Sequence, residues 1–166
     1  QGPGVGAPEV GFARGHHGLC YYDTEIGPRH PSLGFDMFGE MLEACHARGI
    51  RVPAYITVAF DEWAARNHPE WAALNRDGSM WVGPPTTATW HGICMLNDRY
   101  QEYLLSITEE VLNKYPVDGL FMDIWMTPEP ACFCWSCVEK MREAGINPED
   151  DRAARRWSED QRAELM

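Results

Sequence analysis

Val117-Asp118-Gly119-Leu120-Phe121-Met122-Asp123-Ile124-Trp125 is the stretch that decides the fold. A short apolar run behind Pro116 predicts a β-strand. The segment before it predicts a long helix over roughly 98–115. Asn97-Asp98 cap that helix, Tyr100, Leu104, Ile107, Val111 and Leu112 form one stripe, and Pro116 ends it. Further upstream, Ile50 to Val58 reads as a second strand, apolar almost throughout, as in strands buried on both faces. Pro53 is awkward in a central strand. Phe38, Met41, Leu42 and Cys45 fall at helical spacing between Phe35 and Arg48, and Gly49 supplies the stop. Pro8-Glu9-Val10-Gly11-Phe12-Ala13 allows one more short strand.

Between these elements, residues 19–34 form a long loop punctuated by Gly27, Pro28, Pro31 and Gly34. A short helix is expected over 61–67, with Asp61 near its N-terminus. Residues 68–97 read as irregular: Asn75-Arg76-Asp77-Gly78 is a turn, and Pro84-Pro85 excludes helix. Helices near 135–144 and 149–165 close the chain. Strands alternating with helices mean parallel pairing through right-handed crossovers. The fold class is therefore α/β, with about three βα units of a partial (β/α)8 TIM barrel. A complete barrel needs eight strands and ~250 residues. The expectation is that residues 1–166 are a single domain, part of such a barrel and truncated at both ends, with an open sheet edge that another segment must cover.

The 166 residues carry a net charge of −11, from 14 basic against 25 acidic side chains, and 45% of them are hydrophobic. That hydrophobic share excludes wholesale disorder. The acidic balance excludes nucleic acid or an anionic membrane as main partner, since both reward a basic face. There is no apolar run of about 18 residues to span a bilayer. Gln1-Gly2-Pro3-Gly4 has neither the basic nor the apolar part of a signal peptide, and reads as the start of a processed chain or of a piece of something longer. Seven Trp, six Tyr and six Phe fill a core or line a cleft where sugar rings stack.

Chemistry-bearing residues gather after the strands. Cys132, Cys134 and Cys137 form Cys-x-Cys-x-x-Cys behind the deciding strand, and Cys94 precedes the helix that leads into it. In a parallel unit both loops lie on one face of the sheet, so four thiolates can meet around Zn²⁺, with His91 as a substitute for the fourth. Such a closed zinc braces a loop and does no catalysis. The alternative is buried free thiols or disulfides, as Cys20 and Cys45 also lie outside the cluster. Clustered thiols fit a reducing compartment such as the cytoplasm.

Asp123 stands at the C-terminal end of its strand, where α/β barrels carry their sites. It reads as a catalytic carboxylate, or as an Asp capping a loop. His16-His17, between Gly15 and Gly18, would project from the same sheet end to bind sugar hydroxyls, or simply face solvent. Glu62 can oppose Asp123 as a second carboxylate, or belong to an acidic helix start. Trp63 and Trp125 can wall the cleft. No Ser-His-Asp order and no phosphate-binding glycine loop is present.

Gly15-His16-His17-Gly18, Gly27-Pro28-Arg29-His30-Pro31, Ala44-Cys45-His46-Ala47-Arg48-Gly49-Ile50-Arg51-Val52, His68-Pro69-Glu70-Trp71 and Asp118-Gly119-Leu120-Phe121-Met122-Asp123 together resemble the family labelled hypothetical glycosyl hydrolase six, over most of residues 10–145. That resemblance implies a (β/α)8 barrel acting on glycosides or descended from enzymes that act on them. The His-His step and the strand-end Asp are similar to α-L-fucosidases, which implies that His16 and His17 touch the sugar and that Asp123 is the nucleophile of a retaining reaction. The four cysteines resemble the zinc cluster of family forty-two β-galactosidases. There a Glu before the Cys run is the acid/base; here Asp123 follows Met122 instead, a departure that favours the nucleophile role.

The implied function is hydrolysis of a glycosidic bond by two carboxylates, one of which lies outside this chain. The isolated chain is then expected to be inactive or nearly so. A non-catalytic carbohydrate-binding or assembly subunit is the competing class, with a second copy or the remainder of a longer chain as partner. A metallohydrolase would need an open metal position.

Overall fold

In the computed structural model, which describes residues 10–83 and 90–165, three strands run parallel in chain order. They are β1 (Gly11–Arg14), β2 (Ala54–Thr57) and β3 (Leu120–Asp123). Helix α1 (Met37–His46) joins β1 to β2. The β2–β3 connection carries α2 (Glu62–Asn67), a 3₁₀ turn at Pro69–Trp71 and α3 (Asp98–Lys114). Helices α4 (Trp135–Glu143) and α5 (Asp151–Leu165) follow β3. This is the α/β alternation read from the sequence. Pro8, Glu9 and the Pro84-Pro85 pair lie outside the described residues.

The strands are shorter than their apolar runs. β2 starts one residue after Pro53, so the missing amide removes no bond from the ladder; the Pro53 carbonyl still accepts from Gly11 N–H at 3.0 Å. Before β3, Asp118 serves the turn. Its carboxylate accepts the Val52 amide at 2.7 Å and lies 2.8 Å from His46 Nε2.

Helix α3 starts where Asn97 accepts the Tyr100 amide at 3.1 Å and ends before Pro116. Tyr100, Leu104, Ile107 and Val111 are buried as the stripe requires. Leu112 is a correction: it is 47% exposed. The 4-3-4 spacing from Tyr100 to Val111 follows one face, and the next residue is turned about 100° from it.

β2 is buried along its whole length, whereas β3 forms an edge. Phe12, Tyr55 and Phe121 are register partners and stack across the sheet, 4.5 and 5.7 Å apart. Phe12 and Phe121 remain exposed. On the other face, Leu120, Met122 and Trp125 line an apolar groove of about 390 Å³ with Leu104 of α3 and Leu165 of α5. The outer edge of β3 has no strand partner among the described residues.

A register shift in β1 between Phe12 and Arg14 pairs Arg14 with Ile56, the helix-facing residue of β2. Arg14 is thereby turned into the interior, completely buried, where it pairs with the equally buried Asp61. Its guanidinium lies 5.3 Å from the Tyr103 ring centre. Arg14 Nε and Nη1 have no protein acceptor among the described residues. Removing the charge of Asp61 leaves a buried, uncompensated cation, which costs about 3–5 kcal/mol. Asp61→Asn, which can still cap α2, is expected to lower stability by that amount in chemical denaturation. A loss below 1 kcal/mol would mean that Arg14 finds another partner.

The long 19–34 loop is tied to α3 by one buried carboxylate. Glu110 accepts from Tyr22 Oη and Thr24 Oγ1 at 2.7 Å and from Glu25 N–H at 2.6 Å. Burial pushes its carboxyl up, but those bonds and Lys114 outweigh it and hold it below the ordinary carboxylate range. With a depressed folded pKa, its stabilisation is complete above the unfolded value and is lost as pH falls through the folded one. Glu110→Gln is expected to flatten the acid limb of stability against pH. An unchanged limb would remove Glu110 from that role.

Candidate active site

Asp123 is the last residue of β3 and pairs with Thr57, the last of β2. Tyr55 and Phe121 precede them by two on the same face. Ile124 follows Asp123 with φ at 62°, a left-handed conformation that a β-branched residue adopts only under constraint, at about 1–3 kcal/mol. The constraint is visible: Val58 and Ala59 donate their amides to the carbonyls of Asp123 and Ile124 at 3.0 and 3.1 Å. The chain thus bends immediately after the carboxylate.

The Tyr55 hydroxyl donates to Asp123 Oδ2 at 2.5 Å. His16 lies against the same phenol, with Nε2 3.2 Å from Tyr55 Oη, and its Nδ1 is 2.8 Å from Thr57 Oγ1. Burial lowers the His16 pKa; Asp123 pulls it up and His17 down. Burial and the bond to Asp123 push the Tyr55 phenol well above its usual range. His17 is exposed, and its ring meets Trp90 edge-on at 4.3 Å.

The His16–His17 loop is fixed from behind. Its carbonyls accept the first amides of α2, from Glu62 at 3.0 Å and Trp63 at 3.1 Å. Asp61 caps the same helix by accepting from Ala64 N–H at 2.9 Å. Gly18 closes the turn with φ at 76°, and a side chain there would collide with the Asp61 carboxylate.

The other expected site residues are placed differently. Glu62 accepts from the His91 amide at 3.0 Å, lies 2.9 Å from His91 Nδ1 and pairs with Arg66. Against burial, which would raise it, these partners hold its carboxyl down at about 2. It is a fixed anion at the start of α2. Trp63 packs onto His68 and Tyr103. Trp125 donates its indole N–H to the Met122 carbonyl at 3.1 Å and faces the apolar groove, with the residues that alternate away from Asp123. Tyr55, Thr57 and Trp90 are the site residues that sequence reading misses. The two strand residues carry a signal, a hydroxyl at i and i+2 of one strand, which is masked by the apolar look of the run.

The four cysteines do converge. Sγ atoms of Cys94, Cys132, Cys134 and Cys137 all lie within 4.8 Å of one another, and all four residues are buried. Cys94 and Cys137 are 3.3 Å apart. His91 is engaged with Glu62 instead. Four thiolates about 2.3 Å from a tetrahedral zinc would be roughly 3.8 Å apart, so this group is close enough to hold a metal ion. Around it Ala73, Ala131, Met141, Ala154 and Trp157 form a second core that joins α4 and α5 to the segment before α3.

The model of the family described as Hypothetical glycosyl hydrolase 6 matches residues 7–124. The chain belongs to this family. Its site elements fall inside the match up to Asp123, whereas the Cys132–Cys137 run lies beyond it. Among solved structures, this glycosyl hydrolase-family chain is similar to "Alpha-L-fucosidase isoenzyme 2 from Paenibacillus thiaminolyticus", with 34% identity and a TM-score of 0.78 over 91% of the chain. The chain spans 22% of that protein's length. A hypothetical protein from Ruminiclostridium thermocellum ATCC 27405 shares the fold, at 16% identity and a TM-score of 0.59, with 95% of this chain and 77% of that one covered. None of the curated proteins matches. No helix among the described residues is long and apolar enough to cross a membrane.

Proposed function

We propose that this chain contributes one part of the active site of a glycoside hydrolase and that Asp123 is one of the two catalytic carboxylates. The observation that carries this reading is the placement of Asp123 at the C-terminal end of β3, held by Tyr55 with His16 against the same phenol. In a parallel α/β sheet that end is where substrates are bound. The carboxylate attacks the anomeric carbon as the glycosidic bond breaks, while an acid on another part of the protein protonates the leaving oxygen. Water then releases the sugar from the ester and the configuration is retained. Glu62 is poorly suited to be that acid, since His91 and Arg66 hold its carboxyl well below the ordinary carboxylate range.

His16, His17 and Trp90 would form the sugar-facing wall. The edge of β3, unpaired among the described residues, and the exposed Phe12 and Phe121 fit strands supplied by the rest of a barrel. The similarity to a protein named as an α-L-fucosidase makes L-fucosides the first substrates to try. We assign Zn²⁺ to the four cysteines because four soft thiolates, buried and within 4.8 Å of one another, suit it. With four protein ligands the ion would brace the loop after Asp123 and take no part in the reaction. The test is Asp123→Asn in the complete protein: an enzyme loses turnover and keeps ligand affinity, whereas a carbohydrate-binding module loses little of either.

A further inference from the structure

Donor counting around His16 assigns its hydrogens. Thr57 has one hydroxyl hydrogen, and it goes to the Phe60 carbonyl at 2.8 Å, a group that can only accept. Thr57 Oγ1 therefore offers His16 only lone pairs, and Nδ1, 2.8 Å away, must carry the hydrogen. The Tyr55 hydroxyl hydrogen is likewise committed, to Asp123. In the neutral ring, His16 Nε2 then faces the phenol oxygen at 3.2 Å with no hydrogen between them. It is an acceptor beside the carboxylate with no hydrogen from Tyr55 or Thr57 to accept.

We propose that Thr57 is a positioning residue that fixes His16 in the Nδ1–H form, so that Nε2 is presented beside Asp123 as a bare acceptor for a hydroxyl hydrogen of the ligand. Thr57 is completely buried, and water does not compete for its hydroxyl. The groups facing His16 are Tyr55 and Thr57 of β2, Asp123 of β3 and the adjacent His17. Burial keeps the ring on its neutral side, as this arrangement needs. Protonation would place a second hydrogen on Nε2, hand it to the Tyr55 oxygen and remove the acceptor. The site would then prefer a ligand whose hydroxyl donates at that point over its deoxy or O-methyl analogue. That the ligand is a sugar rests on the function proposed above; the tautomer does not.

The experiment is nitrogen NMR of the ¹⁵N-histidine-labelled protein, with His16 assigned by His16→Asn. At neutral pH the unsubstituted protein is expected to show a protonated Nδ1 and a bare Nε2, and Thr57→Ser to keep that pattern. Thr57→Val is expected to move the hydrogen to Nε2, whose remaining acceptor is Tyr55, and to weaken L-fucose binding roughly tenfold. An Nε2–H ring in the unsubstituted protein overturns the proposal, a reading that holds even if Thr57→Val does not fold. A Thr57→Val ring that stays Nδ1–H also overturns it. Tautomers as expected with no L-fucose binding would overturn the fucoside reading and leave the tautomer lock standing.

Discussion

Asp123→Asn in the complete protein is expected to reduce glycoside turnover on the order of 10⁴-fold, the scale seen when a member of a catalytic set is removed, while ligand affinity changes little. The amide keeps the size of the carboxylate and can still accept from Tyr55, so the surrounding geometry survives. In the proposed mechanism it loses the nucleophilic oxygen that forms the glycosyl ester and carries the charge facing the oxocarbenium-like transition state. An interaction realised only in the transition state shows in kcat and not in ground-state binding. Hydrolysis of an aryl α-L-fucoside and the affinity for L-fucose, measured on the same preparations, give the two readouts. Residues 1–166 alone, proposed to supply one carboxylate of the pair, are expected to be inactive and serve as the control. Unchanged turnover would remove Asp123 from the chemistry. Affinity without turnover in the unsubstituted protein would make this a carbohydrate-binding subunit.

If the cysteine group holds zinc as proposed, removing the metal is expected to unfold the region beyond β3. Structural zinc sites contribute about 10–16 kcal/mol in small zinc peptides, comparable with or larger than the 5–15 kcal/mol that holds a typical domain together. The four cysteines sit at the centre of the core formed by Met141, Ala154 and Trp157. Leu74, Trp81, Leu96, Phe133 and Ile146 pack against that core but are only partly buried. One zinc per chain is expected in protein purified without added metal. A thiol-directed mercurial should release it, with loss of helical circular dichroism and proteolysis within residues 124–150. Cys137→Ser should do the same without reagent. Because no ligand position is left open, activity should fall with the fold, and added zinc should restore both together. Absence of metal with unaltered proteolysis would leave four buried thiols and no brace.

Several features were legible because they depend on neighbours in the chain. Asn97 and Pro116 bound α3, Asp61 starts α2, and Pro53 stands just before β2, since caps and imino acids act within one turn of themselves. The cysteine spacing also sufficed, because parallel topology places the loop before α3 and the loop after β3 on one side. Leu112 failed by one residue, since an apolar side chain on a helix does not say which side of the stripe is covered. For Glu62 the sequence left two readings open, a second carboxylate or an acidic helix start. A carboxylate after a strand looks the same whether it faces a substrate or His91, 29 residues away.

The sequence by itself determined the alternation of strands and helices, the strand-end position of Asp123 and the thiol cluster, because each rests on local pattern or on a topological rule. Only the tertiary structure decided what Asp123 touches. Tyr55, 68 residues away in the chain, meets it through the parallel register, and His16, 107 residues away, is brought against the same phenol by the loop clamped on α2. The same register shift that turns Arg14 inward to Asp61 leaves the face beside it to the aromatic row and the carboxylate. Hydrogen-bond direction, and with it the proton on His16, follows from which groups are packed within 3 Å, and no periodicity in a sequence carries that information.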